Sequence, residues 1–209
     1  MISQPRLLIA TTSAGKLGEW RLLLADLPYE LLGLADLGLD FDVAETGTTF
    51  ADNAQLKAEA YGSRAGVLTL AEDSGLEVDA LGGRPGVYSA RWEGDDYVRK
   101  NELLVDLLAG RTGEERACRY VAVTVLRHPD GRSWQATGEL RGQVANAPAG
   151  AGGFGYDPIF YVPALGRTLA QVAVDEKDRI SHRGRAAGRI REVLRQLLQP
   201  PAEQAQRTA

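Results

Sequence analysis

The chain has 209 residues, 44% of them apolar, enough to bury a core in one large domain or two small lobes. Asp and Glu outnumber Lys and Arg by 28 to 24, a net charge of −4. That excludes a strong non-specific pull on nucleic acid, so a polyanionic ligand needs a local basic cluster, a bridging metal, or both. The single cysteine, Cys118, excludes an intramolecular disulfide and fits a reducing compartment. The N-terminal apolar run is too short for a signal segment or a membrane span, so a cytoplasmic protein with no membrane partner is expected.

Arg6 to Thr11 reads as a buried strand, Thr11 to Lys16 as a polar loop, and Leu17 to Leu27 as a helix with Trp20, Leu23, Leu24 and Leu27 on one face. Strand, small-residue loop and helix together present backbone N–H groups to an anion. Thr49 to Asp52 has the form of a capping box, opening a helix that runs to about Arg64, before Gly66. Val67 to Ala71 reads as a short buried strand. Glu72 and Asp73 then stand where it should end, with a turn expected at Ser74-Gly75 and a second, half-exposed strand carrying Glu77 and Asp79. Asp95 or Asp96 caps the next helix, which carries Leu103, Leu104, Leu107 and Leu108 and stops at Gly110.

Tyr120 to Leu126 and Ser133 to Leu140 read as a hairpin turning at His128-Pro129-Asp130-Gly131, with His128 solvated. A glycine-rich stretch from Gly150 leads to a strand at Pro158 to Val162, and Ser181 caps a last helix with Ile190, Val193, Leu194, Leu197 and Leu198 on one face. Alternating strands and helices with a hairpin predict an α/β fold: a mixed sheet flanked by helices, with a smaller lobe around the hairpin and a central substrate cleft between the two lobes. Residues 1–198 are expected to form that single two-lobed domain, and 199–209 a disordered tail.

Several segments carry chemistry. Adjacent carboxylates at a strand end hold a hard cation or move a proton. The loop Thr11-Thr12-Ser13-Ala14-Gly15-Lys16 lacks the Walker spacing, and alone reads as an ordinary βα turn. Phe50, Ala54, Lys57 and Tyr61 share one helix face, with Asn53 at its border, so Lys57 either snorkels or meets an anion. Glu45 is a second carboxylate within reach of a cation, or else a solvated loop residue. Gly153-Phe154-Gly155-Tyr156-Asp157-Pro158 places an aromatic between glycines, suited to stacking a base as well as to a hairpin core. His182 and Arg183 fall in the first turn of the last helix, where cations are unfavourable unless an anion or electron-rich group docks there.

Taken in order, these segments closely resemble the family of noncanonical purine nucleoside triphosphate pyrophosphatases, the inosine triphosphate pyrophosphatases. The resemblance runs from Leu7 to Leu198 through Gly15-Lys16, Glu45-Thr46-Gly47, Leu56-Lys57-Ala58, Asp73-Ser74-Gly75-Leu76, Gly86 to Arg91, Gly153 to Pro158, Glu176-Lys177 and Ser181-His182-Arg183-Gly184. It implies a homodimeric α/β enzyme, its sheet elongated, that uses Mg²⁺ to hydrolyse ITP, dITP and XTP to the monophosphate and pyrophosphate. It implies that Asp73 is the catalytic residue and, with Glu45, a metal ligand. Thr11, Thr12, Ser13, Ala14, Gly15, Lys16, Lys57 and Lys177 would contact the triphosphate. Ser74, Phe154, Gly155, Tyr156, Asp157, His182 and Arg183 would contact the rest of the substrate, mostly around the base. Glu72 drops back to a supporting role. The chain departs from the family at Thr12-Ser13, where Gly-Asn is usual, at Asp52, where Glu is common, and at Asp178, where Asn is common. Two other readings remain: a related pyrophosphatase acting on modified pyrimidine triphosphates, and a nucleotide-binding module without catalysis.

Overall fold

The computed structural model describes residues 4–199. One seven-stranded sheet runs through it in the order β2-β1-β3-β4-β5-β6-β7. The strands are β1 (Arg6–Ala10), β2 (Glu30–Leu32), β3 (Leu68–Val78), β4 (Ala117–Arg127), β5 (Ser133–Val144), β6 (Phe160–Val162) and β7 (Arg167–Thr168). β1 pairs in parallel with β2 and β3, and all other pairings are antiparallel, so the sheet is mixed. Five α-helices cover it: α1 (Ala14–Leu23), α2 (Phe50–Ala65), α3 (Tyr97–Leu107), α4 (Val174–Ile180) and α5 (His182–Leu197).

The core follows the two-residue period of the strands. Leu8 and Ala10 of β1 face Phe50, Ala54, Ala58 and Tyr61 of α2. Leu7 and Ile9 face the other way, onto Trp20 of α1, Leu24 just beyond it, and Ile190 and Leu194 of α5. Further along the long strands, Leu76 and Val78 of β3 join Tyr120, Leu140 and Phe160 under Leu104 of α3. Residues 72–75 of β3 therefore lie between apolar clusters, at the one stretch of that strand given to polar side chains and a glycine.

The turn expected at Ser74-Gly75 does not form. β3 continues without a break from Leu68 to Val78, paired to β4 from Thr69 to Val78. Glu72 and Asp73 thus sit in mid-strand. Gly75 serves close approach, not a turn: a Cβ there would lie 2.4 Å from Ser89 Oγ and 2.5 Å from the Gly86 carbonyl oxygen. Ser89 Oγ itself accepts the Leu76 N–H at 2.9 Å, tying the 86–89 segment to the strand.

Other boundaries shift for local reasons. α1 begins at Ala14, capped by Ser13, whose Oγ accepts the Lys16 N–H, so half of the expected loop is helical. It also stops at Leu23, short of Leu27. β5 extends to Val144 because β4 starts early, at Ala117. The strand read from Pro158 begins only at Phe160, since the 156–160 stretch turns on itself through Tyr156 and Asp157 carbonyls. α4, which carries Lys177, was hidden by its shortness and charge. His128 contacts Asp130 across the hairpin turn at 2.9 Å, so it is more than solvated. The expected tail from Pro200 lies outside the described residues. No described helix is long and apolar enough to cross a membrane.

Gly75→Ala should lower stability by about 1–3 kcal/mol, the usual range for overpacking a tight contact. Urea unfolding measures this, and an unchanged midpoint would mean that the 86–89 segment yields freely.

Candidate functional site

The site begins where β1 stops. Ala10, its last residue, lies beside Ala71. Beyond that point β3 keeps β4 on one edge but has no parallel neighbour on the other. Glu72 and Asp73 follow directly, and as successive strand residues they leave on opposite faces of the sheet.

Asp73 points to the α2 face. Lys57 Nζ donates to Asp73 Oδ1 at 3.0 Å and to Glu45 Oε1 at 2.8 Å, so the lysine is paired and does not snorkel. Asn53 is fully buried and links the same segments: its Nδ2 donates to Asp73 Oδ2 at 3.2 Å, and its Oδ1 accepts the Gly47 N–H at 2.8 Å. Arg91 closes the far side on Glu45 Oε2 at 2.7 Å. α2 is set for this by its capping box, in which Thr49 and Asp52 exchange hydrogen bonds. Burial alone would lower the Lys57 pKa, but Asp73 and Glu45 more than reverse it and hold the ammonium charged. Burial pushes Glu45 up, yet Lys57 and Arg91 bring its carboxyl below the ordinary value.

Glu72 points to the α1 and α5 face. It is buried against Trp20, whose Nε1 donates to Oε2 at 2.8 Å. Arg183 grips it with a fork, Nε to Oε2 at 2.8 Å and Nη2 to Oε1 at 2.7 Å. Lys16 Nζ stands 3.6 Å from Oε1. Arg183 Nη1 also donates to Glu19, and Nη2 reaches Ser74 Oγ at 3.4 Å. Burial would raise the Glu72 pKa; Arg183 and Lys16 hold it well below the carboxylate range instead. Burial works against Lys16 too, and lowers its pKa. The anions that accept the basic first turn of α5 are therefore the protein's own Glu72 and Glu19.

Lys177 sits between Glu19 at 2.7 Å and Asp157 at 2.5 Å. Burial alone would lower its pKa, but these carboxylates raise it. Lys177 Nζ and the Arg183 guanidinium lie 5.2 Å and 5.6 Å from the Phe154 ring centroid, cation–π range. A Cβ on Gly15 would come within 2.7 Å of that ring, so Phe154 leans on the start of α1. Asp157 also accepts the Phe154 N–H at 2.9 Å, and Tyr156 donates its hydroxyl to the Ser89 carbonyl at 2.8 Å.

The structure thus brings Lys16, Ser74, Phe154, Gly155, Tyr156, Asp157, Lys177, His182 and Arg183 around one cavity. Thr11, Thr12, Ser13 and Ala14 line a neighbouring groove with Leu39 and Phe41. Glu45, Lys57 and Asp73 form the separate cluster on the α2 face. Sequence reasoning missed Glu19, which resembles a solvated helix glutamate, and took Trp20 only as core. Asn53 was placed correctly on its helix, but its two-ended link depends on Gly47 and Asp73, which only the fold brings close.

Mg²⁺ is often held by one or two carboxylates completed by waters and substrate phosphates. Glu45 and Asp73, converging on one ammonium, are such a donor pair, so the residues fit that ion. Among the described residues no group of three or more His, Cys, Asp and Glu is placed to hold a metal alone, so a bound ion would need phosphate and water as further ligands.

His182 is buried and stacked on Tyr120, ring centroids 4.5 Å apart, and its Nδ1 has no partner among the described residues. Burial, then the Arg183 charge, pushes its pKa well below 6.5, so the ring is neutral. The unfolded chain takes up a proton near 6.5 that the folded chain refuses, so this contribution is complete above that pH and is lost as pH falls below it. Thermal unfolding should show stability dropping from pH 6.5 toward pH 5, by at most about 1.4 kcal/mol per pH unit from this group. His182→Phe should flatten that slope, and an unaltered slope would assign the proton elsewhere.

The Ham1 family model matches residues 7–193. A dITP/XTP pyrophosphatase of Symbiobacterium thermophilum is 50% identical over 199 residues, covering 95% of this chain and 99% of that one. A dITP/XTP pyrophosphatase of Thermus thermophilus is 44% identical over 89% of this chain and 90% of its own. Among solved structures, the Staphylococcus aureus Ham1 protein aligns with a TM-score of 0.80 at 39% identity, over 91% of this chain and 98% of that one. A HAM1 protein from Coxiella burnetii aligns at 0.81 and 34% identity, over 91% and 98%. With nearly its whole length matched in sequence and in fold, the chain belongs to the Ham1 family.

Proposed function

We propose that this chain hydrolyses deaminated purine nucleoside triphosphates (ITP, dITP and XTP) to the monophosphate and pyrophosphate, with Mg²⁺, as a cytoplasmic homodimer whose substrate lies in a cleft between two lobes. The observation that carries this reading is the pairing of two sites across the end of β1. An aromatic and cationic cavity lies on one face, and a Lys57-linked pair of carboxylates on the other. Relatives named dITP/XTP pyrophosphatase support it.

The base would stack on Phe154, where stacking is worth roughly 1–3 kcal/mol. Arg183 is a pure donor, so it can bond a 6-keto oxygen and leaves a 6-amino group unpaired; neutral His182, with one ring N–H and one acceptor nitrogen, does not discriminate by itself. Lys16 and Lys177 would meet phosphate oxygens on the cavity side, and Lys57 on the other. Mg²⁺ held by Glu45 and Asp73 would neutralise phosphate charge and help polarise the bond that breaks. Asp73 Oδ would take the proton of the water that attacks the α-phosphorus, with Asn53 fixing the carboxylate's rotation. Catalysis of this kind is mainly positioning and electrostatics.

From ITP the first products should be IMP and pyrophosphate; inosine diphosphate with orthophosphate would overturn the mechanism. Asp73→Asn should lower kcat by roughly 10²- to 10⁴-fold, the range for loss of a general base. A panel of ITP, XTP, ATP, dUTP and methylated pyrimidine triphosphates tests the substrate class, and preference for the pyrimidines would replace this reading.

A further inference from the structure

Glu72 lies outside both assignments above and does not itself line the cavity, yet its carboxylate contacts two residues that do, Lys16 and Arg183. Its Oε2 accepts from Trp20 and from Arg183 Nε, and its Oε1 accepts from Arg183 Nη2 with Lys16 beside it. Three of its about four acceptor positions are hydrogen-bonded and Lys16 stands beside the remaining one, so it is poorly placed to bind a metal or take a proton from water. It faces away from Asp73, on the other side of the sheet. What it does is hold two substrate-facing cations, one from each end of the chain.

The consequence for Arg183 can be counted. A guanidinium has five N–H donors. Nε and one N–H of Nη2 go to Glu72, the other of Nη2 goes to Ser74, and one of Nη1 goes to Glu19. One N–H of Nη1 remains without a partner among the described residues. The Glu72 fork fixes the guanidinium plane, because two parallel hydrogen bonds leave it no rotation. The remaining N–H therefore has a set direction, in a wall shared with Phe154 and His182.

We propose that Glu72 is a positioning residue for base selection, aiming the free N–H of Arg183 at the 6-position of the purine while holding Lys16 on the same carboxylate. This rests on the reading of the cavity as a purine site. A fixed donor rejects a 6-amino group because neither can accept. A guanidinium released from Glu72 could turn away, so the penalty on the amino base would fall while stacking on Phe154 remained. A purely structural Glu72 predicts a different result: weaker binding of all nucleotides by the same factor.

Titration calorimetry with IMP and AMP separates the two, using the full-length protein without turnover. The wild type should bind IMP more tightly than AMP by about tenfold or more, the order expected when a buried donor must lose its acceptor. Glu72→Gln should cut that ratio by about fivefold or more, mainly by relieving the penalty on AMP. Trp20→Phe keeps the fork but removes one support of Glu72, and should cut the ratio by about twofold. Melting temperatures establish which variants are folded, and if Glu72→Gln is not, Trp20→Phe decides. An unchanged IMP-to-AMP ratio in a folded variant overturns the proposal. A wild type with no preference for IMP overturns it together with the purine reading. A wild type that prefers IMP but releases no pyrophosphate from ITP sinks the pyrophosphatase reading alone, and the variants' ratios still decide the role of Glu72.

Discussion

The two-residue period of β3 is the constraint from which the rest of the site follows. Because Glu72 and Asp73 are adjacent in an extended strand, they must leave on opposite faces. One is therefore available to α1 and α5, the other to α2. β1 ends one residue before this pair, so the two faces communicate around the end of a strand instead of being sealed by the sheet. A slip of one residue in the pairing of β3 with β4 would exchange the carboxylates and destroy both clusters at once. The register is held on each side of the pair by apolar residues, Leu68 and Leu70 before it and Leu76 and Val78 after it.

Charge is arranged with the same economy. On the cavity face, Lys16, Lys177 and Arg183 are matched by Glu19, Glu72 and Asp157. On the α2 face, Lys57 and Arg91 are matched by Glu45 and Asp73. Buried ions are tolerable only when paired and hydrogen-bonded in this way, since each would otherwise carry several kcal/mol of lost hydration. The pairing also means that neither face keeps a surplus of positive charge for a polyanion. A triphosphate entering here brings more negative charge than the protein has free cations to meet. That imbalance supports a divalent cation entering with the substrate, and it explains how an acidic chain can still serve a highly anionic ligand.

Much of this was legible in the sequence, and the losses are instructive. The helix faces of α2 and α5 were readable because helical spacing is a local property: Phe50, Ala54, Lys57 and Tyr61 do share a side. The expected break at Ser74-Gly75 failed because a glycine has the same appearance whether it bends the chain or admits a close neighbour. What decides is Ser89, fourteen residues on, whose hydroxyl needs the space. Glu19 was invisible for a similar reason. A glutamate three residues after Lys16 on a helix is ordinarily solvated, and only the arrival of α4 and α5 turns it into the link between Lys177 and Arg183. Glu19 and the close approach at Gly75 were missed because each is defined by a partner from a distant element.

The departure at Thr12-Ser13 can be judged by the same physics. Ser13 is the N-cap of α1, with its Oγ accepting the Lys16 N–H at 3.3 Å, and its own N–H donates to Thr11 Oγ1 at 3.2 Å. Serine and asparagine are near equals as N-caps, because each offers one short-range oxygen to the first turn. Asparagine, usual at this position in the resembling family, therefore supplies the same bond, and the exchange leaves the helix start in place. Thr12 is exposed and side-chain hydrogen bonds in this loop run between its neighbours, Thr11 and Ser13, so a residue larger than glycine fits without displacing them. The N–H groups of Ala14 and Gly15 have no backbone partner among the described residues, as is usual for the first donors of a helix. They lie at the positive end of α1, in the same first turn as Lys16. An anion at this loop would meet backbone geometry and one lysine, and both survive a change in the side chains that precede them.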